Sequence, residues 1–491
     1  MPERWDAEQS VLIDVLPGAE GSVRPKRAVD KTFRRYDQDQ PMLLAPDVRD
    51  WLPADDAARW VDEVVEHGLD LAPLYDDYTE VRGAPPYDPR LMLKLLVYGY
   101  SNGITSSREL ERRCHHDVAF MFLTAQAAPD FVAISRFRKR HLQAFEALFT
   151  QVLGLCAQAG LVSLGRVALD GSKIRASASR HRAMSYDRMV RAEGELAAEV
   201  AALLADAERR DAAEDARHGD RRGDELPAEL ARRESRLAAI RRARADLEAE
   251  YAAKARVKAE QAAAKGGADE TEQAAAGEQA EAASVVPPRA QRSFTDPDAR
   301  IMKTSDGSFH YCYNAQTVVD EDSQIILSST LVPSGADSPE LPGALRDVAE
   351  SLQAAGIEGR PKTLLADAGY FSEDNVTAVS EAGIDALIAT GRQKHGEQPV
   401  GAPRGRIPKG LTPKQLMTRK LRTKKGAADY ARRKAIVEPA FGQMKVAQDA
   451  GRLRLRGLAN AQGEWTLQAF CHNVRKLRNS GFHPISTKAF S

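Results

Sequence analysis

The sequence predicts a mixed α/β fold with an all-helical domain ahead of it and a long helical insertion after its first strand. Between 51 and 161, apolar residues recur every three or four positions, which is typical of amphipathic helices. Between 166 and 390, short apolar runs alternate with helical patterns, which indicates a sheet covered by helices. Residues 182–285 are rich in Ala, Glu, Arg and Asp, a composition that favours long helices.

The N-terminal region divides into two predicted parts. Residues 1–45 are polar with little periodicity and predict a loose lead, whereas residues 46–162 predict a compact helical domain, which is a candidate for DNA binding. Its last predicted helix begins with basic residues, where a helix entering the major groove would carry them. The alternative is a basic face that only contacts solvent. The candidate DNA contacts in this helix are Arg136, Arg138, Lys139 and Arg140.

The predicted catalytic region begins at residues 163–181, where RVALD reads as a first core strand that ends at Asp170. Residues 182–290 form the predicted insertion, a helical hairpin whose last part, AKGGADETEQAAAGEQAEAAS, lacks an apolar stripe and predicts disorder. Residues 291–391 continue the core. They contain a hairpin, SFHYCYNAQTVVD and QIILSSTLV, and later the strand KTLLAD, which ends at Asp367. The predicted order is β-β-β-α-β-α-β, with Gly369 allowing the turn after Asp367.

The charges are distributed unevenly, although the formal net charge is zero. From Gly391 to Ser491 there are 22 Lys and Arg residues against 5 Asp and Glu residues. This part comprises a predicted basic linker, 392–428, and predicted C-terminal helices, 429–491. Such an excess of positive charge indicates nucleic acid as a partner, the alternative being a basic face that serves solubility.

The cysteines and histidines do not predict a metal centre. The four cysteines are far apart and show no CxxC spacing, which argues against a zinc ribbon and a disulfide framework and predicts buried free thiols. The neighbours Cys114-His115-His116 and Cys471-His472 diverge by about 100° per residue on a helix and are poorly placed to share one ion. We also find no signal peptide and no membrane span, so a cytoplasmic protein without membrane association is expected.

Three acidic residues are candidates for catalysis: Asp170, Asp367 and Glu438. Asp367 follows Asp170 by 197 positions and Glu438 follows Asp367 by 71, so the three can meet only through the fold. Converging carboxylates repel one another unless hard divalent cations lie between them, and oxygen ligands favour Mg²⁺ or Mn²⁺ over zinc. Two such ions could stabilise both the attacking and the leaving oxygen of a phosphoryl transfer.

Glu438 lies in the segment YARRKAIVEPAFGQMK. Spacings of four, four and seven residues place Tyr430, Lys434, Glu438 and Lys445 near one face of a helix, provided that Pro439 does not break it. A proline at this position is expected to kink the helix or to restart it. A cation beside a metal-binding carboxylate could hold a DNA phosphate, but Lys434 and Glu438 could equally form an ordinary surface ion pair.

Taken together, these motifs resemble the DDE transposases of bacterial insertion sequences. The resemblance rests on ALDGSKI, YNAQTVVDED, LLADAGYFSEDN, YARRKAIVEPAFGQMK, RLRLRGLANAQGEW and HNVRKL, and is to the branch whose third motif reads VEPxFGQxK. It implies a ribonuclease H-like catalytic core with Asp170, Asp367 and Glu438 as its acidic triad, holding two Mg²⁺ or Mn²⁺ ions. It also implies that DNA is the ligand of Tyr430, of Lys445 and of one basic residue between them, either Arg433 or Lys434.

The resemblance implies a cut-and-paste reaction near the bacterial nucleoid. The protein would bind the terminal inverted repeats of its element, cleave DNA, and join the freed 3′-hydroxyl to target DNA. A homodimer is expected because two ends must be processed together. Phosphate contacts are expected within 404–425 and from Arg452, Arg454 and Arg456.

Two other functions share some of these sequence features. A haloacid dehalogenase-type phosphatase would need a second Asp two residues after Asp170, but that position is Ser172, and the antiparallel hairpin does not suit the parallel sheet of those enzymes. A transposase-derived protein that binds DNA without cutting it remains open, although all three acidic residues are present.

Overall fold

The fold is that of a computed structural model, which describes residues 47–78, 85–178, 183–218, 228–391 and 401–484. From Val48 onward the chain belongs to one compact unit. Two predicted features lie outside the described residues: the polar lead 1–45 and the first part of the basic linker, 392–400. Residues 219–227 of the predicted insertion also lie outside them.

The N-terminal part is helical, as the sequence predicted. Its α-helices are α1 (Ala57–Glu63), α2 (Ala72–Tyr75), α3 (Pro89–Ser101), α4 (Ser107–His116), α5 (Val118–Leu123), α6 (Phe131–Arg140) and α7 (Leu142–Gln158). The predicted last helix is divided at His141, so Arg138, Lys139 and Arg140 lie in the last turn of α6 and Arg136 lies in its middle, and none of them opens a helix. His141 is buried, and its Nδ1 lies 2.5 Å from Oδ2 of Asp77, which fixes the chain at the break.

A mixed six-stranded sheet forms the core of the remaining chain. The strands are β1 (Arg166–Arg175), β2 (Ala183–Ser185), β3 (Gln291–Ser293), β4 (Arg300–Lys303), β5 (Phe309–Asp320), β6 (Ile326–Val332), β7 (Thr363–Ala366) and β8 (Asp385–Ile388). The main sheet has the order β4-β5-β1-β7-β8, with β6 also paired to β5, while β2 and β3 form a separate pair. Strand β5 is antiparallel to β1, β4 and β6, whereas β7 is parallel to β1 and to β8. The predicted mixed sheet is therefore confirmed, with β4 as an additional strand.

Helices cover the sheet and connect it to the N-terminal part. They are α11 (Leu341–Ala354), α12 (Glu373–Glu381), α13 (Pro413–Leu421), α14 (Lys424–Ala431), α15 (Arg433–Gly442) and α16 (Leu458–Asn479), with a π-helical turn at Gln443–Ala447 after α15. Helix α16 packs against α3, α7 and β6, so a single hydrophobic core includes both Leu148 and Trp465. Where we predicted a linker, α13 and part of α14 form instead, because Thr412 and Thr423 cap their N-termini.

The insertion consists of α8 (Tyr186–His218), α9 (Ala228–Lys265) and α10 (Glu270–Ala282). Helix α9 packs against both of the others. The structure thus differs from the disorder that we predicted for the AKGGADETEQAAAGEQAEAAS segment. Asp269 and Glu272 form a capping box at the start of α10, and Gly277 lets this helix approach Glu260 of α9, where a Cβ atom would lie 2.6 Å from Oε1.

Two further features of the described residues bear on the predictions. All four cysteines are buried and free. No helix in the described ranges has the length and apolar character that crossing a membrane requires.

Candidate active site

The pairing of β1 with β7 places Asp170 beside Asp367. Leu169 lies opposite Ala366, the last residue of β7, and each aspartate is the next residue of its chain. Neighbouring strands lie about 4.8 Å apart, so the two side chains start from adjacent backbones. Our prediction that β1 ends at Asp170 is wrong, because β5 pairs with β1 as far as Arg175. Asp170 instead marks the point where β1 loses its β7 neighbour.

The carboxylate of Asp170 is neutralised by an arginine. Its Oδ1 accepts a hydrogen bond from the Gly171 N–H at 2.8 Å, and its Oδ2 accepts one from Nη1 of Arg433 at 3.0 Å. The Asp170 side chain is 23% exposed and that of Arg433 is 11% exposed. Burial raises the pKa of Asp170, an effect that Arg433 opposes and Asp367 reinforces. Asp170 is therefore an acidic group that needs a cation beside it to remain charged.

Asp367 begins a short turn immediately after β7. Its Oδ1 accepts a hydrogen bond from the Gly369 N–H at 2.8 Å. Gly369 is not among the glycines with positive φ, so the freedom to turn does not explain it. A Cβ atom here would lie 3.0 Å from Oδ1 of Asp367 and 3.3 Å from Oδ2 of Asp337. A side chain at this position would therefore require the neighbouring carboxylates to shift by a few tenths of an ångström.

Glu438, the third predicted acidic residue, does not join the other two. It is exposed on α15 and makes no hydrogen bond or ion pair with the residues that the structure describes. Within the same residues, no three His, Cys, Asp or Glu side chains form a group that could hold a metal ion. Arg433, from the first turn of α15, contacts Asp170 instead.

Helix α15 continues through Pro439, so the predicted restart of the helix at this proline is wrong. Proline has no N–H to donate to the carbonyl of Ala435, four residues earlier. That carbonyl accepts a hydrogen bond from Nε2 of Gln324, in the β5–β6 turn, at 3.1 Å. Gln324 is held in turn by Lys476, whose Nζ lies 2.7 Å from its Oε1, and by His472, whose Nε2 lies 2.8 Å from its main-chain oxygen. The proline is thus accommodated by a side chain from the sheet.

The predicted cluster around Glu438 is divided between two helices. Tyr430 lies on α14, whereas Lys434 is exposed on α15 and has no partner among the described side chains. Arg433 contacts Asp170, and Nζ of Lys445 donates to Oγ of Ser172, two residues further along β1, at 2.5 Å. Of the two basic residues left open by the sequence, Arg433 is the one beside the aspartates. Ser172 could have been found, since alternate residues of a strand share one face.

The arginines of the RLRLR segment lie beside the end of β1. The Leu453 N–H donates to the carbonyl of Arg175 at 2.8 Å, and the N–H groups of Arg454 and Leu455 donate to Oε2 of the buried Glu464 at 2.9 and 2.8 Å. These bonds hold the segment extended and leave its three arginine side chains exposed. The exposed arginines are Arg452, Arg454 and Arg456.

The basic residues of α6 have different environments. Arg138 is buried, and its guanidinium donates to the Tyr100 hydroxyl at 2.7 Å, the Thr105 carbonyl at 2.9 Å and the Ser107 hydroxyl at 2.6 Å. Because these bonds are internal, Arg138 is unavailable to a phosphate in this structure. The exposed basic residues of this helix are Arg136, Lys139 and Arg140.

The sequence analysis missed a fourth carboxylate near the aspartates, that of Asp337. It lies in the loop between β6 and α11, within contact distance of the Cβ positions of Gly171 and Gly369. Asp337 comes five residues after the end of β6, whereas Asp367 directly follows β7. An aspartate in a loop is a common turn residue, so the sequence alone does not distinguish Asp337.

Comparison with protein-family models gives two matches. Residues 46–140 match the family described as Transposase domain (DUF772), and residues 278–474 match the Transposase DDE domain. The second match includes Asp337, Asp367 and Glu438, whereas Asp170 lies outside both. Comparisons with curated proteins and with solved structures gave no significant match. One transposase domain covers the N-terminal helices and the other covers most of the sheet. The chain therefore belongs to the DDE transposases of insertion sequences.

Proposed function

We propose that this transposase cuts DNA at the inverted repeats of its element and joins the ends to target DNA, with Asp170, Asp367 and Glu438 as its acidic residues. The observation that carries the proposal is the adjacent placement of Asp170 and Asp367 where β7 ends. The mixed sheet, with β7 and β8 parallel to β1 and with β5 antiparallel to it, supports a ribonuclease H-like core.

DDE transposases use divalent metal ions, and we propose two Mg²⁺ or Mn²⁺ ions for this site. Asp170 and Asp367 fit such ions, because both offer hard oxygen donors at a partly open position. Bound ions would acidify the attacking water and stabilise the leaving oxygen. The three carboxylates form a complete set of ligands only when Arg433 releases Oδ2 of Asp170 and Glu438 moves next to the two aspartates. We propose that α15 makes this adjustment when DNA is bound.

The basic groups near the aspartates are suited to phosphates. Arg433 and Lys445 lie near Asp170, and Tyr430 is close enough to Arg433 that the arginine lowers the tyrosine pKa, although burial raises it overall. Held by phosphate, Arg433 would no longer neutralise Asp170. The exposed arginines of the RLRLR segment extend the positive surface without reading bases. In the helical domain, Arg136, Lys139 and Arg140 are the proposed contacts to the inverted repeats.

Two further parts of the proposal concern the assembly. A homodimer is proposed because the two ends of an element must be cut and joined in one complex. The protein is proposed to act in the bacterial cytoplasm, where both the element and its target DNA are present.

One observation favours a second candidate function, a DNA-binding protein that does not cut. Glu438 lies apart from the aspartates, and a cation of the chain itself occupies Asp170. If this arrangement persists on DNA, the site would lack a third ligand.

Incubation of the purified protein with DNA fragments bearing the flanking inverted repeats and Mg²⁺ distinguishes the two functions. We expect the wild type to cleave at the repeat ends and Asp367→Ala to bind without cleaving. Asp374→Ala, an exposed aspartate at the start of α12, is the matched control and should cleave normally. Cleavage by Asp367→Ala would refute the acidic site. Binding without cleavage by the wild type would establish the silent binder.

A further inference from the structure

Asp337 receives hydrogen bonds from two strands. Its Oδ1 accepts from Nδ2 of Asn314 at 2.8 Å, from Nε2 of Gln316 at 3.1 Å and from Nζ of Lys173 at 3.3 Å. Asn314 and Gln316 belong to β5, and Lys173 belongs to β1. One carboxylate oxygen therefore joins the loop after β6 to both central strands of the sheet.

The same carboxylate lies against the residues that follow the two active-site aspartates. A Cβ atom at Gly171, next to Asp170, would lie 2.6 Å from Oδ1 of Asp337. At Gly369, two residues after Asp367, it would lie 3.3 Å from Oδ2. Asp337 thus fills space that both backbones leave free by having glycine.

A second link joins Asp337 to the turn that carries Asp367. Gln316 donates to Asp337 through Nε2 and accepts a hydrogen bond from the Tyr370 hydroxyl through Oε1, which fixes its amide orientation. Gln316 is 3% exposed and Tyr370 is fully buried. In addition, Nδ2 of Asn375 donates to the carbonyls of Ser338 and Tyr370, both at 2.7 Å. The loop of Asp337 and the turn of Asp367 are therefore held together by buried side-chain amides.

We propose that Asp337 is a positioning residue for DNA cleavage, which sets the separation of Asp170 and Asp367 by fixing the turn after β7 against β1. This inference rests on the proposed function. Because three donors converge on Oδ1, the role of Asp337 is to accept hydrogen bonds, and an uncharged acceptor of the same shape should largely replace it. This distinguishes a positioning residue from a metal ligand.

The test compares Asp337→Asn with Asp337→Ala in the full-length chain. Mn²⁺ affinity is measured by electron paramagnetic resonance, and exchange of the amides around 363–371 is followed by hydrogen–deuterium exchange. We expect Ala to weaken Mn²⁺ binding by roughly 10–100-fold, as when an outer partner of a metal ligand is lost, and to speed exchange of the turn. Asn should stay within about threefold of the wild type. Asp347→Ala, which removes an acceptor of Thr330 away from the site, is the control and should alter neither quantity.

A second variant, Gln316→Leu, breaks the link to Tyr370 while retaining Asp337. We expect it to speed exchange of the turn and to weaken Mn²⁺ binding in the same direction as Asp337→Ala. Unchanged exchange and affinity in Asp337→Ala would overturn the inference, and so would an Asn variant as defective as Ala. If the wild type binds no Mn²⁺ through Asp170 even with inverted-repeat DNA bound, the proposed function fails. The exchange measurement then still decides whether Asp337 positions the turn.

Discussion

The paired strands β1 and β7 and the helix α15 contribute to the candidate active site in different ways. Asp170 and Asp367 are placed by a continuous ladder of backbone hydrogen bonds, in which each residue fixes the next. The position of Glu438 depends on how α15 packs against β1 and β5, because Arg433 and Glu438 lie five residues apart, about 140° around the helix axis, and face in different directions. In this structure the helix presents Arg433 to Asp170 and leaves Glu438 exposed.

This difference suggests that the fold places the two aspartates before DNA binds and that the glutamate joins them when DNA is bound. The partly buried Asp170 would be unfavourable without a cation, and Arg433 supplies one. The same arginine withholds Oδ2 from any other partner. If α15 can replace Arg433 by Glu438 beside Asp170, the same helix would stabilise the protein without metal and complete the active site with metal.

The largest effect expected is that of Glu438→Gln on cleavage. If Glu438 completes the site only when DNA is bound, the variant should lose more than about 100-fold in the cleavage rate, exceeding the loss of an outer-shell partner. Its free energy of unfolding should change by less than about 0.5 kcal/mol, because Glu438 is exposed and has no partner among the described residues. Glu350→Gln, at an exposed glutamate of α11, should change neither quantity. Normal cleavage by Glu438→Gln would assign the third acidic role to another residue.

Arg433→Gln is expected to lower the stability mainly of the metal-free protein. Removing the guanidinium leaves Asp170 partly buried and unpaired, so the free energy of unfolding should fall by about 2 kcal/mol, less than for a fully buried pair. Mn²⁺ should then raise the melting temperature more than it does in the wild type, since no arginine competes for Oδ2. Calorimetry with and without Mn²⁺ measures both effects.

Arg432→Gln is the matched control for this variant. Arg432 precedes Arg433 and lies 3.5 Å from Glu321, away from the aspartates. Its loss should cost at most about 1 kcal/mol and should leave the effect of Mn²⁺ unchanged. Weaker Mn²⁺ binding by Arg433→Gln would show that the arginine assists metal binding and does not compete with it.

The sequence could predict Asp170 and Asp367 as neighbouring residues of the sheet but not the orientation of α15. Apolar runs locate β1 and β7, and their parallel pairing brings the residues after Leu169 and Ala366 together. Which face of α15 packs against the sheet depends on contacts with residues elsewhere in the chain. The sequence pattern of the helix itself does not reveal these contacts. Gln324, from a distant turn, satisfies the carbonyl that Pro439 leaves free. The predicted continuous cluster failed because the helix is interrupted at Arg432, between Tyr430 and Glu438.

Gln324→Leu tests whether α15 is held by this turn. The Ala435 carbonyl would lose its donor, which should lower the free energy of unfolding by about 1–2 kcal/mol. Pro439→Ala supplies an N–H four residues after Ala435, so Gln324→Leu should cost less in that background. A double-mutant cycle by chemical denaturation measures the difference. Equal costs in both backgrounds would show that the Gln324 amide does not serve the proline.

The last prediction concerns the acid stability of the helix that supports Gln324. His472, on α16, is buried, and burial lowers its pKa to about 4. The His472 imidazole binds a proton near pH 6.5 in the unfolded chain but only near pH 4 in the folded chain. The free energy of unfolding should therefore fall as the pH drops from about 6.5 to about 4. The full difference is about 3 kcal/mol, of which His472→Gln should remove most. Denaturant unfolding at pH 7.5 and pH 4.5 measures it, with His116→Gln, at the exposed end of α4, as the control. If His472→Gln loses as much stability between these pH values as the wild type, the acid sensitivity arises elsewhere in the fold.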